Sequence, residues 1–296
     1  MISFRGSMVA IVTPMTSEGA VDYPAFDRLL DFHLANETSV ICVAGTTGEA
    51  STLDCDEHCA LIRYAVEYVK GRIPIMGGTG ANSTREAIAL TQCAKDAGAA
   101  AALLVTPYYN KPTQEGLFLH YKTVAETVDI PVVLYNVPGR TAVDMLPETV
   151  ARLSHLPNII GIKDATGNLA RLTEMQSLCA PGFEFYTGDD ATAVEFILLG
   201  GHGGISVTAN VAPKAVSQAY QAALAGDADK ARAIDLPLQS LHRDLFVEAN
   251  PIPVKWALNR MGYIDLGIRL PLTVLSEPKR PLIEAALQQA HCLANS

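Results

Sequence analysis

Residues 101–137 read AALLVTPYYNKPTQEGLFLHYKTVAETVDIPVVLYNV, and this stretch decides the fold. It opens on a run of strand length, 101–107, that is apolar at consecutive positions rather than at every second one. Thr113 then starts a stretch of helical character, and Pro131 starts a second continuous apolar run, 131–137. Alternation marks a strand with one wet face. Continuous apolarity marks a strand buried on both faces, as in a parallel sheet whose strands are joined by helices.

The same unit repeats in both directions. Further apolar runs stand at 8–14 (MVAIVTP), 40–45 (VICVAG), 73–78 (IPIMGG), 159–164 (IIGIKD), 183–189 (FEFYTGD) and 203–208 (GGISVT). Helical stretches follow Asp22, begin near Asp54 with Glu57 placed for a capping box, and open at Asn82-Ser83-Thr84 with Glu86. Eight strands alternating with eight helices predict an α/β fold, the closed TIM (β/α)8 barrel. An open doubly wound sheet is the competitor, but no run is followed by GxGxxG. From about Ala225 the strand signals stop and helices separated by Pro and Gly take over. The expected organisation is a barrel over 1–224 with a helical appendage over 225–296.

Composition narrows the function. With 49% hydrophobic residues, 296 residues can build one large core plus an appendage. A charged fraction of 18% argues against disorder and coiled coil. The formal net charge of -9 excludes a general nucleic-acid binder, which needs a basic surface. Residues 1–14 do not read as a secretory leader, and the apolar runs fall well short of the ~20 residues of a membrane span. The six scattered cysteines read as free thiols of a reduced, cytoplasmic chain, because disulfide frameworks belong to short secreted domains.

In such barrels the active site lies at the carboxy-terminal strand ends. Those ends carry Thr13, Gly45-Thr46-Thr47-Gly48-Glu49, Thr106 to Asn110, Tyr135-Asn136, Lys163-Asp164, Thr187-Gly188-Asp189 and Ser206 to Asn210. Hydroxyls and amides dominate, without the clustered ligands of a metal site. Cys55, His58 and Cys59 share one helical face but lack a second pair at zinc-finger spacing, so no metal is expected.

Lys163 closes an apolar strand. It is either a lysine snorkelling outward or an amine held inside the barrel, where burial favours the neutral nucleophile that attacks a ketone. Tyr135 ends the preceding strand as a candidate proton carrier, or as a rim tyrosine with a satisfied hydroxyl. Thr46 and Thr47, in a glycine-flanked turn, can hold a carboxylate or merely lead into a helix. Arg140, on the loop after the fifth strand, is a carboxylate clamp or a solvated arginine. Gly200-Gly201-His202-Gly203-Gly204 precedes a strand rather than a helix and reads as a place of close backbone approach. Asp189-Asp190 reads as capping.

The ordered set of Gly45-Thr46-Thr47-Gly48-Glu49, Tyr108-Tyr109-Asn110-Lys111-Pro112, Tyr135 to Thr141 and Gly161-Ile162-Lys163-Asp164 resembles the pyruvate-dependent class I aldolase and lyase superfamily. Within it, the chain resembles the dihydrodipicolinate synthase family, over essentially its whole length. The resemblance implies that Lys163 forms a Schiff base with pyruvate and that Tyr135 donates and accepts the proton. It implies that Thr46 links Tyr135 to a Tyr109 supplied by a neighbouring subunit, that Thr47 binds the pyruvate carboxylate, and that the Ile205 carbonyl faces the pocket. Arg140 would receive the carboxylate of L-aspartate 4-semialdehyde, and the product would be 4-hydroxy-tetrahydrodipicolinate. A homotetramer, no cofactor, no nucleic acid and no membrane are also implied.

Arg140 and the Thr46-Thr47 pair separate this family from sialic acid lyases, which resemble it but typically show Ser-Thr in the turn and lack the arginine. The alternatives are such a lyase, cleaving a sugar-derived 2-keto acid, and a non-catalytic small-ligand sensor, against which the complete proton relay speaks. A feedback site for L-lysine is implied at Ala50, Ser51, His58, Asn82, Glu86 and Tyr108. Ala50, Ser51 and Cys55 depart there from the Ser, Ala and His common in sensitive bacterial forms.

Overall fold

The computed structural model describes residues 4–293. All eight predicted runs form strands: β1 (Gly6–Ala10), β2 (Val40–Val43), β3 (Ile75–Gly78), β4 (Ala101–Val105), β5 (Val132–Asn136), β6 (Ile159–Asp164), β7 (Glu184–Thr187) and β8 (Gly203–Ser206). They pair in parallel, each with the next and β8 with β1, into a closed barrel. The strands are shorter than several of the apolar runs, because the Thr-Pro and Gly-Thr ends turn away into loops.

The helices inside the barrel unit are α1 (Tyr23–Ala35), α2 (Cys55–Val69), α3 (Thr84–Asp96), α4 (Gln114–Thr127), α5 (Pro138–Thr141), α6 (Pro147–Leu153), α7 (Leu169–Leu178), α8 (Ala193–Leu198) and α9 (Pro213–Leu224). Their starts follow the expected chemistry. Asp22 caps α1, Thr113 caps α4, and Asp54 with Glu57 closes a full capping box on α2. Ser83 precedes α3 but makes no side-chain cap bond. Beyond the barrel come α10 (Ala228–Asp235), α11 (Gln239–Asp244), α12 (Ile252–Arg260) and α13 (Arg280–Gln289). Pro237 converts the chain between α10 and α11 into a 3-10 turn.

Side chains sort by strand parity. Met8, Ala10, Val40, Cys42, Met76, Leu103, Val133, Tyr135, Tyr186 and Ile205 fill the barrel interior. Val132, Leu134, Ile162 and Phe185 face outward and pack with helix residues such as Leu117, Tyr121 and Leu172. Among the described residues the appendage has no separate core: Leu238, Leu241, Val254, Leu258 and Leu287 join one cluster with Leu29, Val43 and Val216 of the barrel side.

The β8–β1 seam is closed partly by side chains. Asn210 accepts from the Val12 N–H at 3.1 Å and donates to the Ala10 carbonyl at 2.9 Å. Gly203 lies in the glycine run read as a close approach, and a Cβ there would strike the Gly6 backbone. Asp189 does cap a short 3-10 turn, and Asp190 accepts from the Val207 and Thr208 N–H groups.

One expectation is overturned. Cys59 on α2 and Cys93 on α3 are disulfide-bonded, with Cα atoms 5.9 Å apart. Neighbouring helices of the outer ring bring them together across 34 residues, a contact that sequence spacing does not reveal. Cys42, Cys55, Cys179 and Cys292 are free thiols. No helix among the described residues is long and apolar enough to cross a membrane.

Candidate active site

The site begins with a pairing between strands. β5 and β6 are in register with Tyr135 opposite Lys163 and Asn136 opposite Asp164, after a shift between Val132 and Val133 that leaves Ile160 unmatched. Parity then turns Tyr135 and Lys163 into the barrel. Lys163 is only 6% exposed. Its Nζ lies 4.1 Å from the centroid of the Tyr135 ring, in the range of a cation–π contact when the amine is charged. The carbon stem of Lys163 passes so close to Gly188 that a Cβ there would sit 2.6 Å from Cε. Below it, burial pushes the Cys42 thiol up to about 12, with the Lys163 amine opposing. This cysteine is an inert part of the wall.

Tyr135 and Thr46 both line a cavity of about 320 Å³ at the carboxy-terminal end of the barrel. Arg140, in the short helix α5, lines it too and donates from Nη2 to the Asn250 carbonyl at 3.2 Å. Thr47 is buried, and its Oγ1 accepts from Asn250 Nδ2 at 2.9 Å. Asn250 therefore ties the appendage to both proposed carboxylate contacts. With that acceptor lone pair used, the Thr47 hydroxyl hydrogen is free to donate. Ile205 lies inside the barrel on β8.

Tyr109 is not brought to the others. It is 88% exposed, with a left-handed backbone (φ 75°), and does not line the cavity. The expected effector positions fall on the cavity that Tyr135, Thr46 and Arg140 line, while Lys163, Thr47 and Ile205 are not part of its lining. Ala50, Ser51, His58, Glu86 and Tyr108 line it, together with Cys55. Asn82 stands behind, donating to the Tyr108 carbonyl at 3.2 Å. Burial lowers the His58 pKa, opposed by its contact with the Gly78 carbonyl at 2.6 Å and by Glu86. A neutral ring must carry its proton on Nε2 to make that bond.

Sequence reasoning gave Glu49 and Lys255 no role of their own. Glu49 follows the Thr46-Thr47 turn in a left-handed conformation (φ 60°) and forms a fully buried ion pair with Lys255 of α12. Burial lowers the Lys255 pKa, with Glu49 opposing. Glu49 also accepts from the Arg269 N–H at 3.2 Å, and Arg269 grips Glu57 through two bonds of 2.7 and 2.6 Å. The available signal was Lys255 itself, a lone cation in the apolar segment PIPVKWAL. Cys55, His58 and Cys59 form no metal cluster, since Cys59 is spent on the disulfide.

A closed barrel that holds a buried lysine amine over a tyrosine ring at its strand ends has the groups that Schiff-base chemistry needs. The chain belongs to the dihydrodipicolinate synthetase family, whose model matches residues 3–290. The 4-hydroxy-tetrahydrodipicolinate synthase of Alcanivorax borkumensis is 58% identical over 98% of this chain and 98% of its own. The dihydrodipicolinate synthase of Acinetobacter baumannii, solved in complex with pyruvate, is 53% identical with a TM-score of 0.97. That alignment covers 98% of this chain and 100% of the relative. The enzyme of Cyanidioschyzon merolae, solved with lysine bound, is 36% identical with a TM-score of 0.94, over 98% of this chain and 100% of its own.

Proposed function

We propose that this protein is a lyase that condenses pyruvate with L-aspartate 4-semialdehyde through a Schiff base on Lys163, giving 4-hydroxy-tetrahydrodipicolinate for lysine and diaminopimelate biosynthesis. The observation that carries the reading is the buried Lys163 amine over the Tyr135 ring, in a chain so similar to synthases of that name.

The neutral Lys163 amine attacks the pyruvate ketone, and loss of water leaves an iminium. That iminium draws electrons from the methyl carbon, which gives up a proton and becomes a nucleophilic enamine carbon. Tyr135 carries the protons, passing them through Thr46 towards Tyr109. Thr47 holds the pyruvate carboxylate, the Ile205 carbonyl faces the pocket, and Arg140 receives the carboxylate of the semialdehyde. The enamine carbon attacks the aldehyde; the substrate amine then attacks the imine carbon, closing the ring and releasing Lys163. Incubation with pyruvate and borohydride, followed by peptide mass analysis, should place the reduced adduct on Lys163. An unlabelled Lys163 removes the aldolase reading.

The same reading makes the protein a cytoplasmic homotetramer in which Tyr109 completes the relay of a neighbouring subunit. The exposure of Tyr109 beside Tyr108 supports this. It divides the chain into a catalytic barrel, 1–224, and a helical domain, 225–296, supported by the end of the strands at Ser206. L-lysine acts as an inhibitor at Ala50, Ser51, His58, Asn82, Glu86 and Tyr108. Support comes from the cavity shared by five of these residues and from the lysine-bound relative. Calorimetry with millimolar L-lysine tests it, and absence of binding removes it.

A further inference from the structure

On the outer face of β5 and β6, behind the catalytic pair, lies a polar cluster that the mechanism does not use. Asn136 follows Tyr135, Asp164 follows Lys163, and the two are register partners. The Asn136 side chain donates to Asp144 at 2.8 Å and to Asp164 at 3.4 Å, while its oxygen accepts from the Met145 N–H at 3.0 Å. Arg171, from the first turn of α7, holds the group together. Its Nε donates to Asp164 at 3.3 Å, Nη1 to Asp144 at 3.1 Å, and Nη2 to the Met145 carbonyl at 2.8 Å. The other Asp164 oxygen accepts from the Thr166 N–H at 2.9 Å and from its hydroxyl.

The side chains of Arg171 and Asp164 are 12% and 5% exposed. Asp144 is more open, at 38%, so removing the guanidinium leaves the buried Asp164 charge uncompensated. The cluster also brackets a loop. Asn136 stands at one end and Asp144-Met145 at the other of the segment that carries Arg140, so the same bonds fix both halves of the site.

We infer that Arg171 is a positioning residue, acting through Asp164 and Asn136 on the Lys163–Tyr135 pair and through Asp144 and Met145 on the Arg140 loop. This inference rests on the functional reading above. The device has two arms. The Asp164 arm sets imine formation, and the Asp144 arm sets the grip on the semialdehyde.

The test compares Arg171→Met, Arg171→Lys, Asp164→Asn and Asp144→Asn in the full-length protein. Three readouts are needed: the rate of borohydride-trapped imine at saturating pyruvate, the KM for the semialdehyde, and Tm. Asp164→Asn should slow trapping about ten- to a hundredfold, as small misplacements of reacting groups do, with little change in KM. Asp144→Asn should raise KM with trapping near wild type. Arg171→Met should show both effects, and Arg171→Lys should restore part of each. Variants that lose only Tm, with wild-type trapping and KM, overturn the inference while labelled wild type leaves the function standing. A wild type that carries no pyruvate on Lys163 overturns both.

Discussion

Lys163 and Tyr135 face each other across adjacent strands, with the amine 4.1 Å from the ring centroid. The phenol ring thus does two things. Its face supports the lysine, and its hydroxyl is available for proton traffic. Tyr135→Phe keeps the first and deletes the second. Trapped imine should still form on Lys163, while kcat falls by about 10²–10⁴, the usual contribution of a positioned acid or base. Equal loss of both would mean that the hydroxyl is already needed to form the imine, and an unchanged kcat would mean that the ring alone matters.

Gly188→Ala probes the space around the lysine. The added Cβ meets the Lys163 stem at 2.6 Å, and the amine must leave its place over the ring. Far-ultraviolet circular dichroism should stay as wild type while labelling of Lys163 by pyruvate and borohydride falls by about tenfold or more. Undiminished labelling would show that the stem has room to spare.

Arg140 is exposed and bound on one side to the Asn250 carbonyl. Arg140→Ala should raise the KM for L-aspartate 4-semialdehyde and lower kcat/KM by about tenfold or more, since it removes charge-assisted hydrogen bonds to the carboxylate worth about 1.5–3 kcal/mol. Pyruvate trapping should be untouched. Turnover at the wild-type level would remove the assigned role.

Glu49 and Lys255 lock the Thr46-Thr47 turn to the appendage from inside the core. Lys255→Met strands a buried carboxylate and should cost about 3–5 kcal/mol in urea unfolding. Adding Glu49→Gln should recover part of that loss, because the stranded charge is gone. Additive losses in the double variant would argue against coupling.

Two buried histidines make stability fall on acidification. Burial lowers the His33 pKa to about 3 and the His120 pKa to about 4, from an ordinary value of 6.5. Each stays neutral when folded but takes a proton when unfolded, so its contribution is complete above pH 6.5 and shrinks as the pH falls towards those lowered values. The slope approaches about 1.4 kcal/mol per pH unit per group. Urea midpoints from pH 7 to pH 4.5 should fall steeply in wild type and less steeply in His33→Gln. Parallel slopes would contradict the burial of a neutral His33.

The fold was open to reading because continuous apolar runs and capping residues are local signals. The strand ends were equally open, since parity and position along a run place Lys163, Tyr135 and Thr46 at one end. Residues acting through long-range contacts were not. Asn250 meets Thr47 across 203 positions and Lys255 meets Glu49 across 206, and no spacing rule joins them. The Cys59–Cys93 disulfide, expected to be two free thiols, failed for the same reason.

The sequence by itself determined a (β/α)8 barrel with an amine at the end of its sixth strand, because burial on both faces and helix punctuation are written locally. The tertiary structure alone decided what the amine faces. Ile160 is passed over in the β5–β6 register. Without that shift, Tyr135 would stand opposite Ile162, and its inward-facing partner would no longer be Lys163. A one-residue slip exchanges the faces of a strand, and only the packed barrel fixes which register holds.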